Sequence, residues 1–152
     1  MPITALPLTK FIGAEIRAVD FTKPLDEATR AELYQHWLKH LVLLFRGQEL
    51  SQEQFVAATG TFGKLAKLVR NAEFRPPGYA RLLDNIMLIS NIRENGVPIG
   101  ALPDGEMHFH HDMLHVALPH KGTCLGSVLR ACRWQSKSLK SRRQKCPLYG
   151  RF

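Results

Sequence analysis

The sequence predicts an α+β chain that is mainly β. Three observations carry this. Apolar residues fall in short runs that either alternate with polar ones or are continuous, and both patterns suit strands better than helices. Two windows open with helix N-cap residues. Glycine, proline and asparagine punctuate the intervals between these segments.

Taken in order, Glu15-Ile16-Arg17-Ala18-Val19-Asp20 alternates in polarity and predicts a strand. Asp26 caps a helix running to about Lys39, with Leu33, Trp37 and Leu38 on its apolar side. Leu41-Val42-Leu43-Leu44-Phe45 is continuous and apolar, as a buried strand would be, and Gly47 breaks it. Ser51-Gln52-Glu53-Gln54 has capping-box spacing and opens a helix through Phe55 to about Thr61. Pro76-Pro77-Gly78 reads as a loop. Ile86-Met87-Leu88-Ile89-Ser90 predicts a further strand, and Glu94-Asn95-Gly96-Val97-Pro98 a turn. Residues 100–105 read as a loop, and Thr123 to Ala131 as one more strand. There is no internal repeat.

The chain has 152 residues, 45% of them hydrophobic, which is enough for one domain with a real core. No apolar run is long enough to span a membrane. Met1-Pro2-Ile3-Thr4 lacks the basic and apolar blocks of a secretory signal, so the expected location is cytoplasmic. The net charge of +8 is unevenly spread. Residues 1–112 hold 12 of the Lys/Arg and all 13 acids, whereas residues 113–152 hold 9 Lys/Arg and no acid. Cys124, Cys132 and Cys146 share that basic end at spacings that fit no zinc-ribbon or CxxC pattern, so they read as free thiols. Two segments follow: a domain portion over 1–131, and a basic tail over 132–152 whose composition predicts disorder.

The chemistry concentrates in His108-Phe109-His110-His111-Asp112. On an extended strand, residues i and i+2 share a face, so His110 and Asp112 can present an imidazole and a carboxylate to one ligand. These are two of the three donors of the 2-His-1-carboxylate triad that holds non-haem Fe(II). The second histidine of such a triad is expected far downstream, yet only 40 residues follow Asp112.

The stretch from Ile12 to about Ala131 resembles the TauD/TfdA family of Fe(II)- and 2-oxoglutarate-dependent dioxygenases. Ile12-Gly13-Ala14-Glu15-Ile16 with Val19-Asp20 is similar to its opening strand. Leu41 to Gln48 is similar to its buried strand and turn. Phe62-Gly63-Lys64-Leu65 resembles Phe-Gly-x-Leu, Ile89-Ser90-Asn91 precedes the metal motif, and Phe109-His110-His111-Asp112 resembles Trp/Phe-His-Thr/Ser-Asp. The resemblance implies that His110 and Asp112 ligate iron. It implies a double-stranded β-helix, or jelly roll, with flanking helices, present here only in part. It also implies oxidative decarboxylation of 2-oxoglutarate coupled to hydroxylation of a small, often anionic, organic substrate.

Some family features have no counterpart here. No Gly-Gly-x-Thr segment follows Leu125 to Ala131, so the Thr that helps hold 2-oxoglutarate is missing, as are the distal histidine and the arginine that pairs with its carboxylate. Ala66-Lys67-Leu68 stands where taurine-type members carry a substrate histidine, which argues against taurine.

Several residues also have plainer readings. His108 and His111 read as bystanders, although with His115 and His120 they could trap zinc or nickel. Glu106 is close enough in sequence to reach a substrate, but it also suits a solvated turn. The basic tail suggests nucleic acid by charge alone, but it lacks interleaved aromatics and any known motif. Residues from about Cys132 also suit an out-of-frame or mis-spliced end: Arg142-Arg143-Gln144, read one base later, can begin Gly-Gly. The reading from another functional class is a non-catalytic remnant serving as a binding module with a basic tail. A jelly roll lacking its later strands leaves edges open for self-association, with Leu41 to Phe45 and Ile86 to Ile89 as the prone segments.

Overall fold

The computed structural model describes residues 3–66, 75–90, 92–101, 113 and 117–126. A three-stranded sheet has the order β1-β2-β3, from β1 (Thr4–Pro7), β2 (Ala14–Arg17) and β3 (Leu43–Phe45). β1 runs antiparallel to β2, pairing Thr4 with Arg17 and Pro7 with Ala14. β3 runs parallel to β2, pairing Ala14 with Leu43 and Ile16 with Phe45. A parallel neighbour needs a crossover, and helix α1 (Glu27–His40) supplies it. Helix α2 (Gln52–Gly60) follows the sheet, and β4 (Arg93–Glu94) and β5 (Val97–Pro98) form a separate hairpin.

β1 is a strand that periodicity misses, because its four residues, Thr4, Ala5, Leu6 and Pro7, show no clear alternation. Its turn into β2 is built by Thr9, whose Oγ1 accepts from the amides of Phe11 and Ile12 and donates to the Ile12 carbonyl at 2.6 Å. Gly13, at φ 90°, closes that turn in a conformation that favours glycine. β2 is shorter than the expected Glu15 to Asp20, because Ala18 turns the backbone to φ 64° and breaks the alternation.

Both helices start where their caps predict. The Asp26 carboxylate accepts from the Thr29 amide at 2.7 Å. Ser51 and Gln54 form the reciprocal capping box ahead of α2. On α1, Leu33 is fully buried, but Leu38, expected on the same side, is 53% exposed. Five residues of helix carry it about 140° round from Leu33. The apolar run from Leu41 does not start a buried strand. Leu41 caps α1 at φ 63°, Leu41 and Val42 are 63% and 51% exposed, and the strand begins at Leu43 with only half-buried residues.

The core joins Ala14, Ile16, Val19, Phe21 and Leu33, with Leu43, Phe45 and Phe62 packed against it. Aromatic rings continue it from Phe21 to Phe45 at 4.9 Å, Phe45 to Phe62 at 6.4 Å, Phe62 to Trp37 at 5.7 Å and Trp37 to Tyr34 at 5.8 Å. Burying one residue such as Leu33 is worth about 1.5–3 kcal/mol. Exposed ion pairs such as Lys23–Asp20, at 3.5 Å, add little. Apolar packing therefore holds α1 and α2 on the sheet.

Residues 75–101 depart further from expectation. Pro76-Pro77-Gly78 is not a plain loop but enters a short 3-10 helix over Pro77–Arg81. Ile86 to Ser90 forms no strand; its ladder is reduced to one parallel bridge between Ile89 and Ala101. The expected turn is present, with Asn95 and Gly96 at φ 51° and 80°, the left-handed pair that suits a two-residue hairpin. Residues 123–126 form no strand; the rest of that predicted element, residues 102–105 of the predicted loop and the whole basic tail lie outside the described residues. Among the described residues, no helix is long and apolar enough to cross a membrane. Together these are small sheets with two helices, an α+β arrangement.

Candidate metal centre

His110 and Asp112, the predicted ligands, lie outside the described residues, as do Glu106, His108, His111 and His115. The structure shows how the chain is held before and after them. On the near side, residues 99–101 are tied on both flanks. The Gly78 amide donates to the Ile99 carbonyl at 3.0 Å, the Ala101 amide to Leu88 at 2.8 Å and the Ser90 amide to Ala101 at 3.4 Å. Tyr79, Ile99 and Ala101 are buried around these bonds. Gly78 is required there, because a Cβ would stand 2.4 Å from the Ile99 oxygen. The chain thus leaves a fixed point at Ala101, a few residues ahead of the motif.

On the far side, Met113 directly follows Asp112 with φ 58°, a reversal uncommon for a residue other than glycine. Residues 121–126 then lie across both helices. The Lys121 ammonium donates to the Tyr34 hydroxyl and sits 4.7 Å from the Tyr34 ring centroid and 5.9 Å from that of Trp37. Gly122 packs on Trp37 and Gly126 on Phe55. Burial pushes the Cys124 thiol up, against a hydrogen bond with Thr59 that acts the other way. Cys124 is a free thiol. His120 is exposed.

α2 links the two sides. Its Gln52 side chain donates to the Arg81 carbonyl at 2.8 Å and accepts from the Leu83 amide at 2.9 Å. Gln48 performs the same service nearer the sheet, accepting from Phe21 and donating to Val19, each at 3.0 Å. Sequence reasoning assigned neither glutamine a role. The signal available for Gln52 was its place inside a capping box beside a chain turn, which does not reveal a partner 29 residues away.

Charged side chains of the sheet are paired. Glu15 is held below the usual carboxylate range by hydrogen bonds from Arg17 at 2.9 Å and Arg46 at 3.3 Å. Among the described residues, no three His, Cys, Asp or Glu side chains converge to hold a metal. Some residues that carried the family resemblance prove to be packing residues: Ala14 and Ile16 are core, and Phe62 lies between Phe45 and Trp37, edge-on to Trp37 and tilted to Phe45.

Residues 4–132 match the family model described as taurine catabolism dioxygenase TauD, TfdA family. The chain belongs to that family. It is 33% identical over 114 residues to pentalenolactone F synthase of Streptomyces avermitilis, a match covering 74% of this chain and 35% of that protein. Among solved structures, a taurine dioxygenase from Burkholderia xenovorans aligns at 39% identity and a TM-score of 0.41, covering 44% of this chain and 25% of that one. AAD-2 in complex with Mn(II) and N-oxalylglycine aligns at 27% identity and a TM-score of 0.41, covering 41% and 25%. This chain thus spans well under half the length of these relatives.

Proposed function

We propose that this chain supplies two ligands, His110 and Asp112, to the metal centre of an Fe(II)- and 2-oxoglutarate-dependent dioxygenase. The observation that carries the reading is the Phe109-His110-His111-Asp112 motif, set within a family match over residues 4–132. The donors fit the group: one imidazole nitrogen and one carboxylate oxygen belong to the facial triad of non-haem iron. When bound, the metal would activate oxygen.

The protein's part is to place those donors. The anchor at Ala101 and the packing of Lys121 to Gly126 on the helices hold the chain ahead of and behind the motif. A partial jelly roll is the architecture this assignment requires. The substrate is a small organic molecule, and Ala66-Lys67-Leu68, in the region of the taurine-type histidine, speaks against taurine. Location in the cytoplasm, and the absence of membrane or nucleic-acid partners, belong to the same reading.

Anaerobic Fe(II) or Co(II) titration of the chain tests it. The expected result is weak binding, since two protein donors replace three, largely lost in His110→Ala and in Asp112→Ala but kept in His108→Ala. Equal losses in His108→Ala and His110→Ala would point instead to a diffuse histidine cluster.

A further inference from the structure

His36 and His40 lie one turn apart on α1, with ring centroids 6.0 Å apart and planes inclined by only 22°. Four-residue spacing puts both side chains on one helix face. Two histidines so placed form a known presentation of nitrogen donors to zinc. Glu32 lies one turn earlier on the same face, its Oε1 3.8 Å from Nε2 of His36. The His36 side chain keeps 23% of its surface exposed, and His40 is half-buried. The bond from His40 that secures the sheet runs through its backbone carbonyl, which accepts from the Gly13 amide at 2.9 Å, so the imidazole can move without loosening β2.

We propose that His36 and His40 form a two-imidazole site for a borderline divalent ion, Zn(II) or Cu(II), separate from His110 and Asp112. Zinc–nitrogen bonds of about 2.0–2.1 Å bring chelated nitrogens to about 3 Å from each other. Rings 6.0 Å apart with nearly parallel planes are farther apart than stacked contact requires, and a side-chain torsion change on each closes the gap. Imidazole donors favour Zn(II) and Cu(II) over Mg(II) or Ca(II). Water completes the shell of this two-imidazole site. A bound ion would clip the last two turns of α1, the part whose end is bonded to Gly13 and, through Val42, to Ala14. Because the pair is preformed only in the folded helix, binding raises stability.

Backbone amide NMR of the full chain with substoichiometric Cu(II) tests the site. Paramagnetic broadening is expected over residues 33–41 in the wild type and in a His110→Ala, Asp112→Ala background. It should vanish in His36→Gln and in His40→Gln. Zn(II) should raise the melting temperature of the wild type, and each Gln variant should weaken Zn(II) binding by at least an order of magnitude. Without variants, Zn(II) should shield His36 and His40 from diethylpyrocarbonate, read by peptide mapping. Broadening confined to residues 108–120, or unshielded modification of both histidines, would overturn the proposal.

Discussion

The carboxylate of Glu94 accepts two hydrogen bonds from the guanidinium of Arg81, at 2.8 and 2.7 Å. This fork ties the 3-10 helix to the β4–β5 hairpin and fixes the approach to Ile99. Arg81 holds the Glu94 carboxyl below its ordinary value. The folded state therefore releases this proton more readily than the unfolded state. The contribution is present above the unfolded value, shrinks as pH falls through the acid range, and is gone once folded Glu94 is protonated. Because both side chains are largely exposed, 61% and 40%, the effect is small and screened by salt. Urea melts of Glu94→Gln should show a slight loss at neutral pH and low salt, and none at strongly acid pH or high salt.

Gly78→Ala should be far more damaging. Its Cβ would meet the Ile99 carbonyl at 2.4 Å and Leu88 Cδ2 at 2.8 Å, and a backbone atom cannot swing aside. Overpacking of this kind costs about 1–3 kcal/mol. Hydrogen exchange should quicken at Ala101, whose amide bonds to Leu88, while amides of α1 keep their protection. Unchanged exchange at Ala101 would mean that the anchor ahead of the motif is not set by Gly78.

Leu41 and Val42 present exposed apolar surface beside β3, one of the two edge strands of the described sheet. Such edges associate. Light scattering should show concentration-dependent association of the chain, reduced in a Leu41→Asn, Val42→Lys double variant. Asparagine suits position 41 because it tolerates the φ of 63° there. Equal association in both proteins would move the sticky surface elsewhere.

For turnover, the 152-residue chain should convert 2-oxoglutarate to succinate no faster than free iron. The motivation is the expectation from the sequence that the arginine of the family's bidentate, charge-assisted pair with the co-substrate carboxylate has no counterpart among these 152 residues. Succinate formation that disappears in Asp112→Ala would show that residues of this chain anchor the co-substrate by another route.

Local signals in the sequence were reliable where local physics decides. Asp26 and Ser51 start helices because a side-chain oxygen reaches an amide three residues on, and Asn95-Gly96 turns a hairpin because both residues accept positive φ. Family membership was legible for a related reason, since it rests on ordered short motifs. The proposed donors His110 and Asp112 read from the sequence as residue types two apart, and both lie outside the described residues.

Elsewhere the tertiary structure decided. The apolar runs at Leu41 and Ile86 carry the same composition as buried strands, yet the first begins with a helix cap and the second makes one bridge to Ala101. A strand exists only where a partner meets its hydrogen bonds, and partners lie far off in sequence: Ala14 finds Leu43, and Thr4 finds Arg17. The same holds for Gln48, Gln52 and Lys121, whose side chains are ordinary surface residues by composition. What they do depends on backbone or rings brought to them from 27 to 87 residues away, and no local pattern records that meeting.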